Sequence, residues 1–304
     1  MATMELLILG CGSAAPTTKH LPSCQILEHR GKLYMIDCGE GAQLSLRKHR
    51  VSFSRLVHIF ISHLHGDHCF GLPGIISSMG LLGRTAPLFI HGPSGIELYL
   101  EPILKFFCDR LPYEVKICPH DTKQMACILE TRSLEVHTLP LNHRIPCAGF
   151  LFREKTQKSH LIAEMAEFYK IPVSLRKDII AGADYTCPDG TLIPNSRLTK
   201  PANTPKSYAY CSDTAYHPQL IEQIKGVSLL YHEATFMESE CKRAIETCHS
   251  TAKEAARIAQ LSEAERLLIG HYSARYTDES GLLQEARSVF PNTIAANEGM
   301  TIEI

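Results

Sequence analysis

One stretch restricts what this chain can fold into more than any other. Ile61-Ser62-His63-Leu64-His65-Gly66-Asp67-His68 places three imidazoles and a carboxylate within six residues, directly after the apolar run Leu56-Val57-His58-Ile59-Phe60-Ile61. A buried strand that empties into such a loop holds its side chains rigidly at a sheet edge, the place where a scaffold presents metal ligands. The plainer reading is a polar loop that happens to be rich in histidine. It is disfavoured because four ligand groups this close repel protons and one another unless a cation holds them.

The rest of the composition narrows the class. A chain of 304 residues is one large domain or two small ones, and 44% hydrophobic with 21% charged residues is ordinary for a soluble globular protein. The formal net charge of −1 supplies no global attraction to a polyanion, so a nucleic-acid partner has to be met by a local patch. Met1 to Gly10 has no basic leader and only the short apolar run Leu6-Leu7-Ile8-Leu9, and no stretch approaches the roughly 18 apolar residues of a membrane span. A cytoplasmic protein is expected, with its 12 cysteines as free thiols, since none are spaced Cys-x-x-Cys.

Strands are expected at Met4 to Leu9, Gln25 to Glu28, Lys32 to Asp37, Pro87 to His91, Glu114 to Cys118, Ala126 to Thr131 and Leu134 to Leu139. Further strands follow at Ser207 to Cys211, Val227 to His232, Leu267 to Gly270 and Thr301 to Ile304. Helices are expected over about Ala42 to His49, from Gly71-Leu72-Pro73-Gly74 onward, and over Ile96 to Phe107, whose Ile96, Tyr99, Leu100, Ile103, Leu104 and Phe107 recur at helical spacing. Thr251-x-x-Glu254 is a capping box opening another helix, and Gly281 to Phe290 is the last. Residues 153–205 differ: they are polar, carry prolines at 172, 188, 194, 201 and 205, and show one helical pattern near His160 to Tyr169. They are expected to form an inserted arm within a single domain spanning 1–304.

Several expected strands end in a candidate ligand or acid: the histidine loop, His143, Asp213, His232-Glu233 and His271. Loops at one edge of a sheet converge in space, so residues 200 positions apart can share a site. Singly, each is a weak signal, since Asp213 alone fits a turn or a helix cap. Together His63, His65, Asp67, His68, His143, Asp213 and His271 are too many for one tetrahedral zinc and suit two ions sharing a bridging carboxylate. His63 and His65, two apart in extended chain, face one ion, while Asp67 and His68 follow Gly66 and turn to the other.

At this point the sequence resembles a family. His63-x-His65-x-Asp67-His68 is similar to the metal motif of the metallo-β-lactamase superfamily, which implies an α/β (α+β) fold, a four-layer αββα sandwich. His232-Glu233-Ala234-Thr235, His249-Ser250-Thr251, Gly10-x-Gly12-x-x-x-Pro16-Thr17 and Asp37-Cys38-Gly39-Glu40-Gly41 resemble motifs of ribonuclease Z. That resemblance implies a zinc-dependent endoribonuclease that removes 3′ trailers from precursor tRNA and leaves a 3′-hydroxyl for CCA addition. It further implies two Zn²⁺ per subunit, His63, His65 and His143 holding the first, Asp67, His68 and His271 the second, and Asp213 bridging. Asp67 would orient or deprotonate the attacking water, and His249, steadied by Glu233, would protonate the leaving 3′ oxygen. The plain reading of Glu233 and His249 is turn and helix-terminus chemistry.

The same resemblance implies a homodimer and an arm that grips tRNA away from the cut. Bacterial members carry a Gly-Pro motif in that arm, whereas this chain has Lys170-Ile171-Pro172-Val173-Ser174-Leu175-Arg176-Lys177. Between Arg153 and Asp178 six basic residues face four acidic ones, a mild excess that suits phosphate contact or a solvated surface equally. A small-molecule phosphodiesterase of the same superfamily is the alternative, and a catalytically silent RNA-binding member is a third reading. Retention of every ligand weighs against the third, and a long basic protrusion is of no use to a small substrate.

Overall fold

The computed structural model describes residues 4–108, 110–156 and 158–304, and these divide into two compact units. The larger comprises 4–130, 135–152 and 206–304; the smaller comprises 131–134 and 153–205.

The larger unit is built on two seven-stranded sheets. The first pairs, in order, Thr301–Glu303, Met4–Gly10, Cys24–His29, Lys32–Cys38, Leu56–Phe60, Leu88–Pro93 and Val115–His120. Its last four strands are mutually parallel, and the three inner ones read as near-continuous apolar runs because both faces are covered, whereas the edge strand Val115–His120 stays half-exposed. The second sheet runs Thr293–Ala295, Leu267–Gly270, Leu229–Glu233, Ser207–Cys211, Ala148–Glu154, Leu134–Pro140 and Cys127–Glu130. Aromatic side chains knit the two inner faces: the Phe60 ring lies 5.4 Å from Phe150 and 5.3 Å from Phe152, and the Tyr210 hydroxyl donates to Asp37 across the gap at 2.6 Å.

Helices close the outer faces. Leu46 from Ala42–Lys48, Ile75, Ile76 and Met79 from Leu72–Leu81, and Ile96 and Leu100 from Ile96–Phe107 join Ile26, Met35, Ile59 and Ile90 of the first sheet in one buried cluster. Ala252–Leu261 packs on the second sheet and Ser280–Val289 packs beside it. Burying each such Leu, Ile or Met contributes about 1.5–3 kcal/mol, which is what holds these short helices in place. The result is the four-layer αββα arrangement. The capping box is present, with Thr251 Oγ1 accepting from the Glu254 amide and the Glu254 carboxylate accepting from the Thr251 amide.

Several elements are additional to those read from the sequence, among them the short helix Leu220–Gln223. Ala148–Glu154 is a strand in the second sheet, Thr293–Ala295 forms that sheet's edge, and Gly66–Cys69 and Cys241–Thr247 are short helices. The first of these, Ala148-Gly149-Phe150-Leu151-Phe152, is a buried apolar run of strand length in which Gly149 lets the Tyr210 carbonyl approach to 2.3 Å of where a Cβ would sit.

The smaller unit has its own core of Ala166, Ile171, Ile179, Tyr185, Ile193 and Leu198. Short pairings join His160–Leu161 to Thr199–Lys200 and Tyr185–Thr186 to Leu192–Ile193. It holds three short helices, Ala163–Phe168, Arg176–Ile180 and Asn195–Leu198, where the sequence pattern indicates one.

Candidate active site

The strand Leu56–Phe60 buries Leu56, Ile59 and Phe60 together with His58, whose Nδ1 lies 3.0 Å from His91 Nε2, and it delivers the histidine loop at its C-terminal end. The chain bends at Leu64 and His65, His65 itself keeping extended backbone angles, and then turns into the helix Gly66–Cys69, so Asp67 and His68 are aimed by a helical turn and not by glycine flexibility. Gly66 serves a different need: a Cβ there would lie 2.3 Å from the Phe70 ring. Gly39 is required for another close approach, since a Cβ would sit 2.4 Å from the Asp67 carbonyl oxygen.

All seven sequence-predicted ligands converge, and they come from the ends of both sheets, not from one sheet edge. His143 follows Leu134–Pro140, Asp213 follows Ser207–Cys211 and His271 follows Leu267–Gly270 in the second sheet. Ligand atoms of His63, His65, His143 and Asp213 all lie within 4.8 Å of one another, and those of Asp67, His68 and His271 form a second such group. Asp213 divides its oxygens between them. Oδ1 is 3.3 Å from His68 Nε2 and 3.1 Å from His271 Nε2, whereas Oδ2 is 3.6 Å from His63 Nε2 and 3.8 Å from His143 Nε2. His232 does not join them; its Nδ1 donates to the Glu233 carbonyl at 2.8 Å.

The outer nitrogens explain why the inner ones are available to a cation. His68 Nδ1 donates to Asp37 at 2.7 Å and His143 Nδ1 to the Cys248 carbonyl at 3.0 Å. Thr235 spends its hydroxyl proton on Glu233, so its oxygen accepts from His271 Nδ1 at 2.9 Å; Ser62 spends its proton on Asp37 and accepts from His63 Nδ1 at 3.0 Å. Each of these four imidazoles thus turns a lone pair inward. His68 Nε2 and His271 Nε2 are buried without a hydrogen-bond partner. Burial pushes the His63 imidazole well below its usual range, while at His68 the carboxylates of Asp213, Asp37 and Asp67 outweigh burial and push it up. That field favours positive charge at the centre, and unpaired buried carboxylates cost several kcal/mol each. The residues therefore fit a pair of divalent cations.

Beside this centre stands an acid pair. His249 Nδ1 donates to Glu233 Oε1 at 2.7 Å, and His249 Nε2 lies 4.0 Å from Asp213 Oδ2. Glu233 is fully buried and also accepts from the amides of Thr214 and Thr235. Burial lowers the His249 pKa, but Glu233 and then Asp213 outweigh it and bring it up to about 9. It carries a proton at neutral pH.

Asp37 and Thr235 belong to the sequence motifs without a role assigned to them there, and Arg144 is not singled out by the sequence at all. Asp37 accepts from His68, Ser62 and Tyr210, and it adopts a left-handed φ of 54°. His271 and Cys248 share that conformation at 62° and 56°, so three non-glycine residues in a strained region meet at one site. Among the described residues, Arg144 is the one Lys or Arg lining the cavity of about 520 Å³ that opens over Asp67, Asp213, His249 and His271.

A four-layer αββα sandwich with paired histidine and aspartate groups where its sheets end is a metallo-β-lactamase-fold protein. In keeping with that, the short form of human tRNase Z superposes with a TM-score of 0.72 at 24% identity, covering 99% of each chain. A ribonuclease Z from Porphyromonas gingivalis is 59% identical and one from Parabacteroides distasonis 56% identical, each over all 304 residues and the whole of the relative. The chain belongs to the ribonuclease Z family of hydrolytic endoribonucleases. A family model described as Anti-Pycsar protein Apyc1 also matches, over residues 4–101, a span that includes the histidine loop but stops before His143, Asp213, Glu233, His249 and His271.

Proposed function

We propose that this chain cuts the 3′ trailer from precursor tRNA with two Zn²⁺ per subunit, leaving a 3′-hydroxyl ready for CCA addition. The observation that carries the reading is the His249–Glu233 pair beside Asp213, in a chain 59% identical to a ribonuclease Z along its whole length.

His63, His65 and His143 would hold one ion, Asp67, His68 and His271 the other, with Asp213 shared. When bound, the ions supply acidity to an attacking water and offset charge on the phosphate oxygens. Asp67 orients that water and takes its proton; the Ala14 amide donates to Asp67 Oδ2 at 2.8 Å and holds the carboxylate in place. His249, charged at neutral pH, gives the Nε2 proton to the departing 3′ oxygen, and Glu233 keeps its imidazolium oriented. Arg144 stands at the cavity wall to meet a phosphate.

The assembly we propose is a cytoplasmic homodimer whose inserted unit, 153–205, contacts the tRNA. Leu81, Leu98, Phe106 and Phe107 support the dimer, each more than two-thirds exposed along the helices Leu72–Leu81 and Ile96–Phe107 or at the end of one. No described helix is long and apolar enough to cross a membrane. Incubation with a trailer-bearing precursor tRNA, with and without chelator, tests the reading. Chelator-sensitive cleavage 3′ of the discriminator base is expected; hydrolysis of a chromogenic phosphodiester alone would move the chain to the small-molecule phosphodiesterases.

A further inference from the structure

Phe70 is out of place for a phenylalanine. It closes the helix Gly66–Cys69, two residues after the proposed metal ligands Asp67 and His68, and yet it is 63% exposed. The surrounding backbone fixes it: the Phe70 amide donates to the Gly66 carbonyl at 2.9 Å, and the Tyr99 hydroxyl donates to the neighbouring Cys69 carbonyl at 3.1 Å. The ring lies flush against Gly66, so close that any side chain at 66 would displace it. Phe70 lines the cavity over the metal-ligand groups, together with the small apolar residues Ala14, Pro16 and Pro22. A solvent-facing aromatic ring laid against Gly66, on a backbone held by these hydrogen bonds and beside a phosphodiester-cleaving centre, has the chemistry of a base-stacking platform.

The row of groups across the site indicates which base it meets. His271 Nε2 lies 3.6 Å from Asp67 Oδ2 and 3.1 Å from Asp213 Oδ1, while His249 approaches the other oxygen of Asp213. His249 thus marks one end of the row and Asp67, with Gly66 and Phe70, the other. The leaving 3′ oxygen belongs to the last tRNA nucleotide, which therefore sits at the His249 end. The nucleotide on the far side of the scissile phosphate is the first of the trailer.

Building on the proposed function, we infer that Phe70 is a specificity-determining residue whose ring stacks on the nucleobase of the first trailer nucleotide. Phe70→Ala is expected to lower kcat/KM on a precursor tRNA by about 5- to 150-fold while leaving zinc content unchanged. An abasic first trailer nucleotide is expected to cost the wild type a similar factor and to cost Phe70→Ala nothing further. Phe70→Trp should retain wild-type rates and Phe70→Leu, which keeps the apolar bulk without a π-face, should not. Wild-type rates in Phe70→Ala or Phe70→Leu, or abasic and alanine losses that multiply independently, would overturn the platform while the cleavage reading stands. A wild type that does not cut precursor tRNA at all sinks both.

Discussion

The body of the molecule and its inserted unit solve different problems with different means. Around the site every outer nitrogen of four imidazoles is tied to a carbonyl, hydroxyl or carboxylate, Asp37 and Glu233 are fully buried, and both flanking sheets are cored by large apolar side chains. The inserted unit has a core of six buried residues and leaves Phe168 and Val173 about three-quarters exposed. One region spends its packing on holding a few atoms to fractions of an ångström; the other presents surface. Chemistry should therefore break in the first and affinity for a large substrate in the second.

That contrast can be attacked in five places, from the deepest effect to the mildest. His68→Ala should lose metal and all activity on both precursor tRNA and a chromogenic phosphodiester; retained zinc at full stoichiometry, by elemental analysis, would show that its inward nitrogen is not a ligand. His249→Ala should keep its zinc and lose about 10²- to 10⁴-fold in turnover of the tRNA substrate. Metal loss in that variant would place His249 among the ligands.

Glu233→Gln probes the step between them. His249 at about 9 keeps its proton, and so its activity as an acid, until the pH rises through that value. Removing Glu233 leaves burial to push the pKa down, so the alkaline limb of kcat should move to lower pH; an unmoved limb would assign it to another group. The same shift acts on stability. The raised folded value stabilises the protein fully below the unfolded histidine value of about 6.5, and this contribution is lost as pH rises from there to about 9.

In the inserted unit Ile179→Ala should destabilise that unit by about 2–5 kcal/mol, raise KM for precursor tRNA, and leave chromogenic turnover unchanged. Replacing Lys170, Arg176 and Lys177 with alanine should weaken tRNA binding a few-fold at physiological salt and flatten its salt dependence. An unchanged salt slope would remove this surface from the tRNA contact.

Much of the site is legible because strand periodicity and ligand spacing are local properties. The run Leu56 to Ile61 marks a buried strand, and a carboxylate and three imidazoles at its end admit few readings without a cation. Thr251-x-x-Glu254 fixes a helix start by two reciprocal hydrogen bonds between near neighbours. Ala148–Glu154 escapes such reading because a short apolar run is equally strand or buried helix until its neighbours are known. The short helix Gly66–Cys69 escapes because four residues carry no period.

The sequence by itself determined the ligand types, the strand that delivers most of them and the family they resemble, since these depend on residue identity and short spacing. Only the tertiary structure decided how the ligands divide. It set the two oxygens of Asp213 toward two groups, tied Asp37, Thr235 and the Cys248 carbonyl to the backs of the histidines, and laid Phe70 open against Gly66. Those relations join residues up to 150 positions apart, His63 to Asp213, through two different sheets, and no local pattern encodes a hydrogen bond made across a packed core.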